Sequence, residues 1–199
     1  MAVPEGATLS EDGYYYWDGQ QWQPVDNTDG ATSTGSGPGG GGATPVDVVY
    51  QVAGMSQPAA HACWATSFAV VINYRDGSNL TPADVSNAVG VDISAVESWS
   101  DVTDAASHFD LHESASACMD VQGWAQLLAA NGPLWICVHS GSHAVVLNGV
   151  HGDGTPEGTT FYLTDPWNGS TTTDVNGLAA MFEAIDARQP GDGLIIWHR

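Results

Sequence analysis

The stretch Gln57-Pro58-Ala59-Ala60-His61-Ala62-Cys63-Trp64-Ala65-Thr66-Ser67-Phe68, running on through Tyr74, passes from a proline-marked loop into an apolar helix. Trp64, Phe68, Val71 and Ile72 recur at helical spacing, so a helix is predicted from about Cys63 to Tyr74. That places a cysteine where the helix begins. A thiol at the positive end of a helix macrodipole is favoured as thiolate, the form that attacks carbonyl carbon. A buried, inert core cysteine is the ordinary use of the same residue type. On this segment alone the two readings stand level.

Outward from this helix, residues 45–199 read as one α+β domain. Val46–Val52 suits a strand. Thr81-Pro82 reads as an N-cap followed by proline at the first helical position, opening a helix through Val89. Asp120 caps a further helix carrying Val121, Trp124, Leu127 and Leu128, which Gly132-Pro133 stops. Leu134–Val138, Ala144–Val150 and Thr160–Thr164 are strand candidates, rich in β-branched and aromatic residues. A helix near Leu178–Ile185 and a last strand, Leu194–Trp197, complete the order. Helices lead and strands follow, which excludes an alternating parallel architecture.

Ahead of this domain, residues 1–44 hold six acids and no base, and include the Gly/Ser-rich run from Thr32 to Gly42. Such a tract buries too little apolar surface to offset its ordering entropy and reads as a flexible linker. Before it, Tyr14-Tyr15-Tyr16-Trp17-Asp18-Gly19-Gln20-Gln21-Trp22 is a hairpin signal centred on Asp18-Gly19. A lone two-stranded hairpin is marginal in water, so this aromatic segment is expected to lie against another protein or its own domain.

The whole chain of 199 residues carries three Arg, no Lys and 23 acids, a formal charge of −20. A chain so poor in bases cannot release counterions from phosphates, which argues against nucleic acid and anionic membrane surfaces as partners. No run approaches the roughly 20 apolar residues of a spanning helix. The N-terminus shows no secretory signal, so the expectation is cytoplasmic residence or export by a specialised, signal-less route. The three cysteines, Cys63, Cys118 and Cys137, form no CxxC pair, so no metal or other cofactor is expected. Cys118 and Cys137 read as small buried hydrophobes.

Two further windows bear on Cys63. Ser142-His143-Ala144-Val145-Val146-Leu147-Asn148-Gly149 sets a histidine at the mouth of an apolar strand, where an imidazole is held rigidly. Its competitors fit less well: His139 ends a strand and His151 begins a glycine-rich turn. Tyr162-Leu163-Thr164-Asp165-Pro166-Trp167 places a carboxylate at a strand end beside proline. Read alone, Asp-Pro is a turn initiator.

Together these windows resemble the papain-like cysteine proteases, over roughly residues 46–197. Gln57 stands six residues before Cys63, as that family's oxyanion glutamine does. Cys63-Trp64-Ala65 is similar to the nucleophile motif, and His143-Ala144-Val145 with Gly149 to the histidine strand. Asp165-Pro166 resembles the bacterial branch, the double-glycine bacteriocin-processing peptidases and the papain-like effector proteases. Plant and lysosomal members use Asn there, and the Cys-Gly-Ser lead-in of those members is Ala60-His61-Ala62 here.

The resemblance implies a catalytic helix packed on an antiparallel sheet, with protein or peptide as substrate. It implies Cys63 as nucleophile, His143 as acid and base, Asp165 as the group orienting His143, and Gln57 as an oxyanion donor. Trp167 reads either as a shield over the Asp165–His143 contact or as an aromatic beside a turn. The implied activity is that of a peptidase, acting as a secreted effector, a toxin or a processing enzyme. The alternatives are deamidation, cell-wall amide hydrolysis or transglutamination by the same residues, or a binding module without catalysis. Self-cleavage at Gly39–Gly42 stands against a plain linker reading of that tract.

Overall fold

The computed structural model describes residues 8–9, 15–17, 22–24, 43–94, 99–115, 120–138, 143–179 and 194–197. The chain divides into two compact units, Met1–Gly42 and Ala43–Arg199.

In the first unit, β1 (Thr8–Leu9), β2 (Tyr15–Trp17) and β3 (Trp22–Pro24) form an antiparallel sheet in that order. β2 and β3 pair as the aromatic hairpin predicts, with Trp17 in register with Trp22. The sequence reading provided two strands; Thr8–Leu9 adds a third through two backbone pairings with Trp17 and Tyr16. The Asp18-Gly19 turn and the Gly/Ser-rich tract lie outside the described residues.

The second unit is α+β. Its strands are β4 (Val46–Val49), β5 (His112–Ala115), β6 (Leu134–Val138), β7 (His143–Gly152), β8 (Thr159–Asp165), β9 (Gly169–Thr173) and β10 (Leu194–Trp197). Its helices are α1 (Cys63–Asp76), α2 (Pro82–Val89), α3 (Trp99–His108) and α4 (Val121–Asn131). The sheet runs β5-β10-β6-β7-β8-β9, every pair antiparallel, with β4 pairing β7 beyond the end of β6.

Local chemistry accounts for the helix starts. Thr81 and Asp84 form a reciprocal capping box ahead of Pro82. The Asp120 side chain accepts from the Gly123 N–H at 2.7 Å. The expected helix near Leu178–Ile185 is helical from residue 175 to 179, and its remainder lies outside the described residues.

α1 differs from a one-sided amphipathic helix. Residues Cys63 through Ile72 are all buried, because the sheet lies on one side of the helix and α2 on another. Phe68 is fully buried and stacks on Trp135 of β6 at 5.2 Å, and the Trp135 indole N–H donates to the Trp64 carbonyl at 3.2 Å. A phenylalanine buried to this degree contributes roughly 2–3 kcal/mol.

β6, Leu-Trp-Ile-Cys-Val, is buried on both faces. Its Trp135 and Cys137, with Ala144 and Val146 of β7, join the α1 core. Leu134, Ile136 and Val138, with Val145 and Leu147, join the α4 core instead. The alternation of strand side chains thus divides one sheet between two cores. Gly149 sits where β4 crosses closest to β7: a Cβ there would lie 3.0 Å from the Val48 carbonyl oxygen and 3.0 Å from Val49 Cα.

Three elements were not anticipated. Among the residues of α3 whose burial is described, Val102, Ala105 and Ala106 are buried, and these carry little apolar signal. β5 and β9 are polar edge strands, one paired with β10 and the other with β8.

Candidate active site

Cys63 is the first residue of α1, and the approach to it is a tight turn in which the Ala62 N–H donates to the Ala59 carbonyl at 3.3 Å. His61 in this turn has φ of 67°, a left-handed conformation that a non-glycine residue seldom takes. Such a residue costs on the order of 1 kcal/mol and persists only where its surroundings impose it.

β7 carries His143 at its first residue, and α1 is tied to that end of the strand. One turn after Cys63, the fully buried Ser67 hydroxyl donates to the Ala144 carbonyl at 3.1 Å. From the neighbouring strand β6, the Cys137 thiol donates to the His143 carbonyl at 3.4 Å. The Ser67 bond therefore fixes the first turns of α1 to the start of β7, and the Cys137 bond ties that strand end to β6.

Asp165 ends β8, and its side chain is largely buried. His143 Nε2 lies 2.8 Å from Asp165 Oδ1. The same oxygen accepts the Trp167 N–H at 2.7 Å, and Oδ2 accepts the Asn168 Nδ2 amide at 3.1 Å. Burial pushes the Asp165 carboxyl upward, but the Trp167 N–H, His143 and Asn168 together hold it below the usual carboxylate range. His143 is raised above its ordinary value, first by a hydrogen bond with the Cys63 side chain and then by Asp165, against the opposing effect of burial. With Nε2 engaged by Asp165, Nδ1 is the ring nitrogen that remains for Cys63. The structure thus joins His143 to Asp165 by a hydrogen bond, with the Cys63 side chain among the groups that act on the imidazole.

Gln57 reaches the same place from the loop after β4. Its backbone N–H donates to the Pro166 carbonyl at 3.0 Å, linking it to the Asp165 turn. Its Nε2 donates to the Ala59 carbonyl at 2.8 Å. A carboxamide nitrogen carries two hydrogens, so one N–H is used to hold the amide and the second is left for another acceptor. Gln57 Oε1 is buried with no hydrogen-bond partner among the described residues.

Cys137 is free and buried, and its thiol is pushed up to about 12, by burial first and then by nearby Cys63. Cys118 and His139 lie outside the described residues. His151 stands apart, paired at 3.0 Å with Asp47. Trp167 is 65% exposed, and its backbone N–H donates to Asp165. Sequence reasoning missed Asn168; the Asn168-Gly169 turn signal marks the position but says nothing of where the amide points. Among the described residues no group of three His, Cys, Asp or Glu is placed to hold a metal ion. No described helix is long and apolar enough to cross a membrane.

A family model described as papain-like cysteine protease AvrRpt2 matches residues 43–183. No curated protein matches the chain. Among solved structures, the chain is similar to a double glycine motif protease from an AMS/PCAT transporter, solved in complex with the leader peptide. The two are 23% identical over 78% of this chain and 98% of that one, with a TM-score of 0.49. The peptidase domain of Streptococcus ComA, from a bi-functional ABC transporter, is 16% identical over 75% of this chain and 99% of its own, with a TM-score of 0.46. UfSP from C. elegans is 13% identical over 83% of this chain and 35% of its own, with a TM-score of 0.49.

Proposed function

This chain belongs to the papain-like cysteine protease AvrRpt2 family and is a cysteine peptidase, and from that premise we propose that Cys63, His143, Asp165 and Gln57 perform the hydrolysis. The observation that supports this reading is the placement of His143, hydrogen-bonded to Asp165 and set at the strand end to which Ser67, one turn after Cys63, is tied. We assign the catalytic domain to residues 45–199 and a separate tail to 1–44, supported by the compact units Met1–Gly42 and Ala43–Arg199.

The steps follow from the groups present. Cys63 as thiolate, with His143 as imidazolium, attacks the scissile carbonyl carbon and forms the C–S bond. The oxygen takes up negative charge, met by the Cys63 backbone N–H and the uncommitted Gln57 N–H. One such donor is typically worth about 3–4 kcal/mol in the transition state. Collapse breaks the C–N bond, and His143 gives its proton to the leaving amine. His143 then takes a proton from water, the resulting hydroxide attacks the thioester, and Cys63 leaves as thiolate. Asp165 accepts the other ring N–H throughout. It orients the imidazole and favours its charged form without taking the proton.

The substrate is a protein or peptide chain, cut by an effector or toxin, or by an enzyme that processes a precursor. With three bases against 23 acids, this chain steers basic and neutral partners more readily than acidic ones. A peptide-library cleavage profile beside the Cys63→Ala chain tests the reading. Cleavage by the native chain alone is expected. Release of ammonia from glutamine side chains without chain cleavage would replace peptidase with amidase chemistry.

A further inference from the structure

Asp165 Oδ1 receives two donors, His143 Nε2 at 2.8 Å and the Trp167 N–H at 2.7 Å. Both of these donors restrain rotation of the carboxylate about Cβ–Cγ through one oxygen only. The third donor, Asn168 Nδ2 on Oδ2 at 3.1 Å, restrains the same rotation from the second oxygen. Asn168 occupies the last loop position of the β8–β9 hairpin, where Asp165 pairs with Gly169 across three residues. Gly169, at φ of 78°, supplies the left-handed residue that closes this turn. The turn thereby returns the Asn168 side chain onto the carboxylate three residues earlier. Asn168 itself is exposed, so it supplies no core packing.

We propose that Asn168 is a positioning residue, whose amide locks the Asp165 carboxylate plane so that Oδ1 presents a fixed acceptor to His143 Nε2. This rests on the reading of Asp165 as the group that orients His143. An amide is suited to the task because it donates to an ionised carboxylate without adding charge. An aspartate of the same shape would put a second negative charge against Oδ2. It could donate only when protonated, and neighbouring carboxyls share a proton at a raised pKa. The titratable group on the carboxylate is His143, with Cys63 behind it.

The test uses iodoacetamide as probe of the Cys63–His143 pair, so it needs no knowledge of the substrate. The rate of Cys63 alkylation is measured from pH 4.5 to 9 in the full chain and in Asn168→Ala, Asn168→Asp and Asp165→Asn, with the label located by peptide mass. Near pH 6.5, Asn168→Ala is expected to react about tenfold more slowly than the unaltered chain, the scale of one charge-assisted hydrogen bond. Asn168→Asp is expected to react slowly at pH 8 and to regain rate, relative to Asn168→Ala, as the pH falls and the two carboxyls share a proton. That recovery occurs within one protein, so a general loss of stability cannot produce it. If both Asn168 variants follow the curve of the unaltered chain while Asp165→Asn departs from it, the Asn168 proposal fails and the Asp165 reading stands. If both lose rate equally with no recovery at low pH, Asn168 serves the turn alone and the proposal also fails. If Asp165→Asn itself follows the unaltered curve, the Asp165 reading fails and takes the proposal with it.

Discussion

Cys63 and Cys137 are both buried, 7% and 2% exposed, yet the structure predicts that only one reacts. Burial does not separate them; their neighbours do. Cys63 shares a hydrogen bond with the His143 ring, which can carry the matching positive charge. Cys137 meets the His143 carbonyl oxygen instead, and its thiol is pushed up to about 12. At pH 7.5 such a thiol is ionised to only about 3 × 10⁻⁵. The perturbation is brief exposure to one equivalent of iodoacetamide at pH 7.5, in a Cys118→Ser chain so that two cysteines compete. The assay is digestion and peptide mass, native and after urea. Label is expected on Cys63 over Cys137 by at least about 100 to one in the native chain, with the preference lost in urea. In Cys63→Ala the native chain should stay unlabelled. Native labelling of Cys137 within tenfold of Cys63 would refute both the buried geometry of β6 and the assignment of the nucleophile.

Three further variants test the geometry. Gln57→Ala should lower kcat about 100-fold with KM little changed, because the amide is offered to charge that develops only in the transition state; an unchanged kcat in steady-state cleavage would remove Gln57 from the site. Asp165→Asn should move the alkaline limb of kcat/KM downward, since His143 is raised partly by Asp165. Because folding holds Asp165 below its ordinary value, its charge stabilises the fold above the usual carboxylate range, and that stability is lost as pH falls through the folded value. The difference in melting temperature between the two chains should accordingly shrink in acid, read by circular dichroism. Arg75, whose Nη1 donates to the Phe109 carbonyl at 2.6 Å, joins the end of α1 to the end of α3. Arg75→Ala should cost about 1–2 kcal/mol, a few degrees in thermal unfolding, while cleavage activity at 25 °C is retained.

What the sequence determined by itself was the set of local decisions. Thr81 before Pro82, Asp120 before Val121 and Gly132 before Pro133 mark helix ends through hydrogen bonds that span three or four residues, so neighbours in the chain suffice to read them. Leu134–Val138 and Leu194–Trp197 are legible for a similar reason, since apolar β-branched and aromatic runs favour strands wherever the sheet lies. The four residues of the candidate site were named through a family resemblance, carried by the spacing of Gln57 to Cys63 and the order Cys63, His143, Asp165. What only the tertiary structure decided was how distant segments meet. β5 and β9 have polar sequences, and pairing with β10 and β8 makes them strands. The exposure of Trp167 and the return of Asn168 onto Asp165 depend on the course of one hairpin turn. The Ser67–Ala144 contact holds helix to strand across 77 residues of chain, and the Cys137–His143 contact ties β6 to the start of β7. Composition and periodicity report which face of an element is apolar. They carry no record of which atom of a distant element that face, or the turn beside it, will meet.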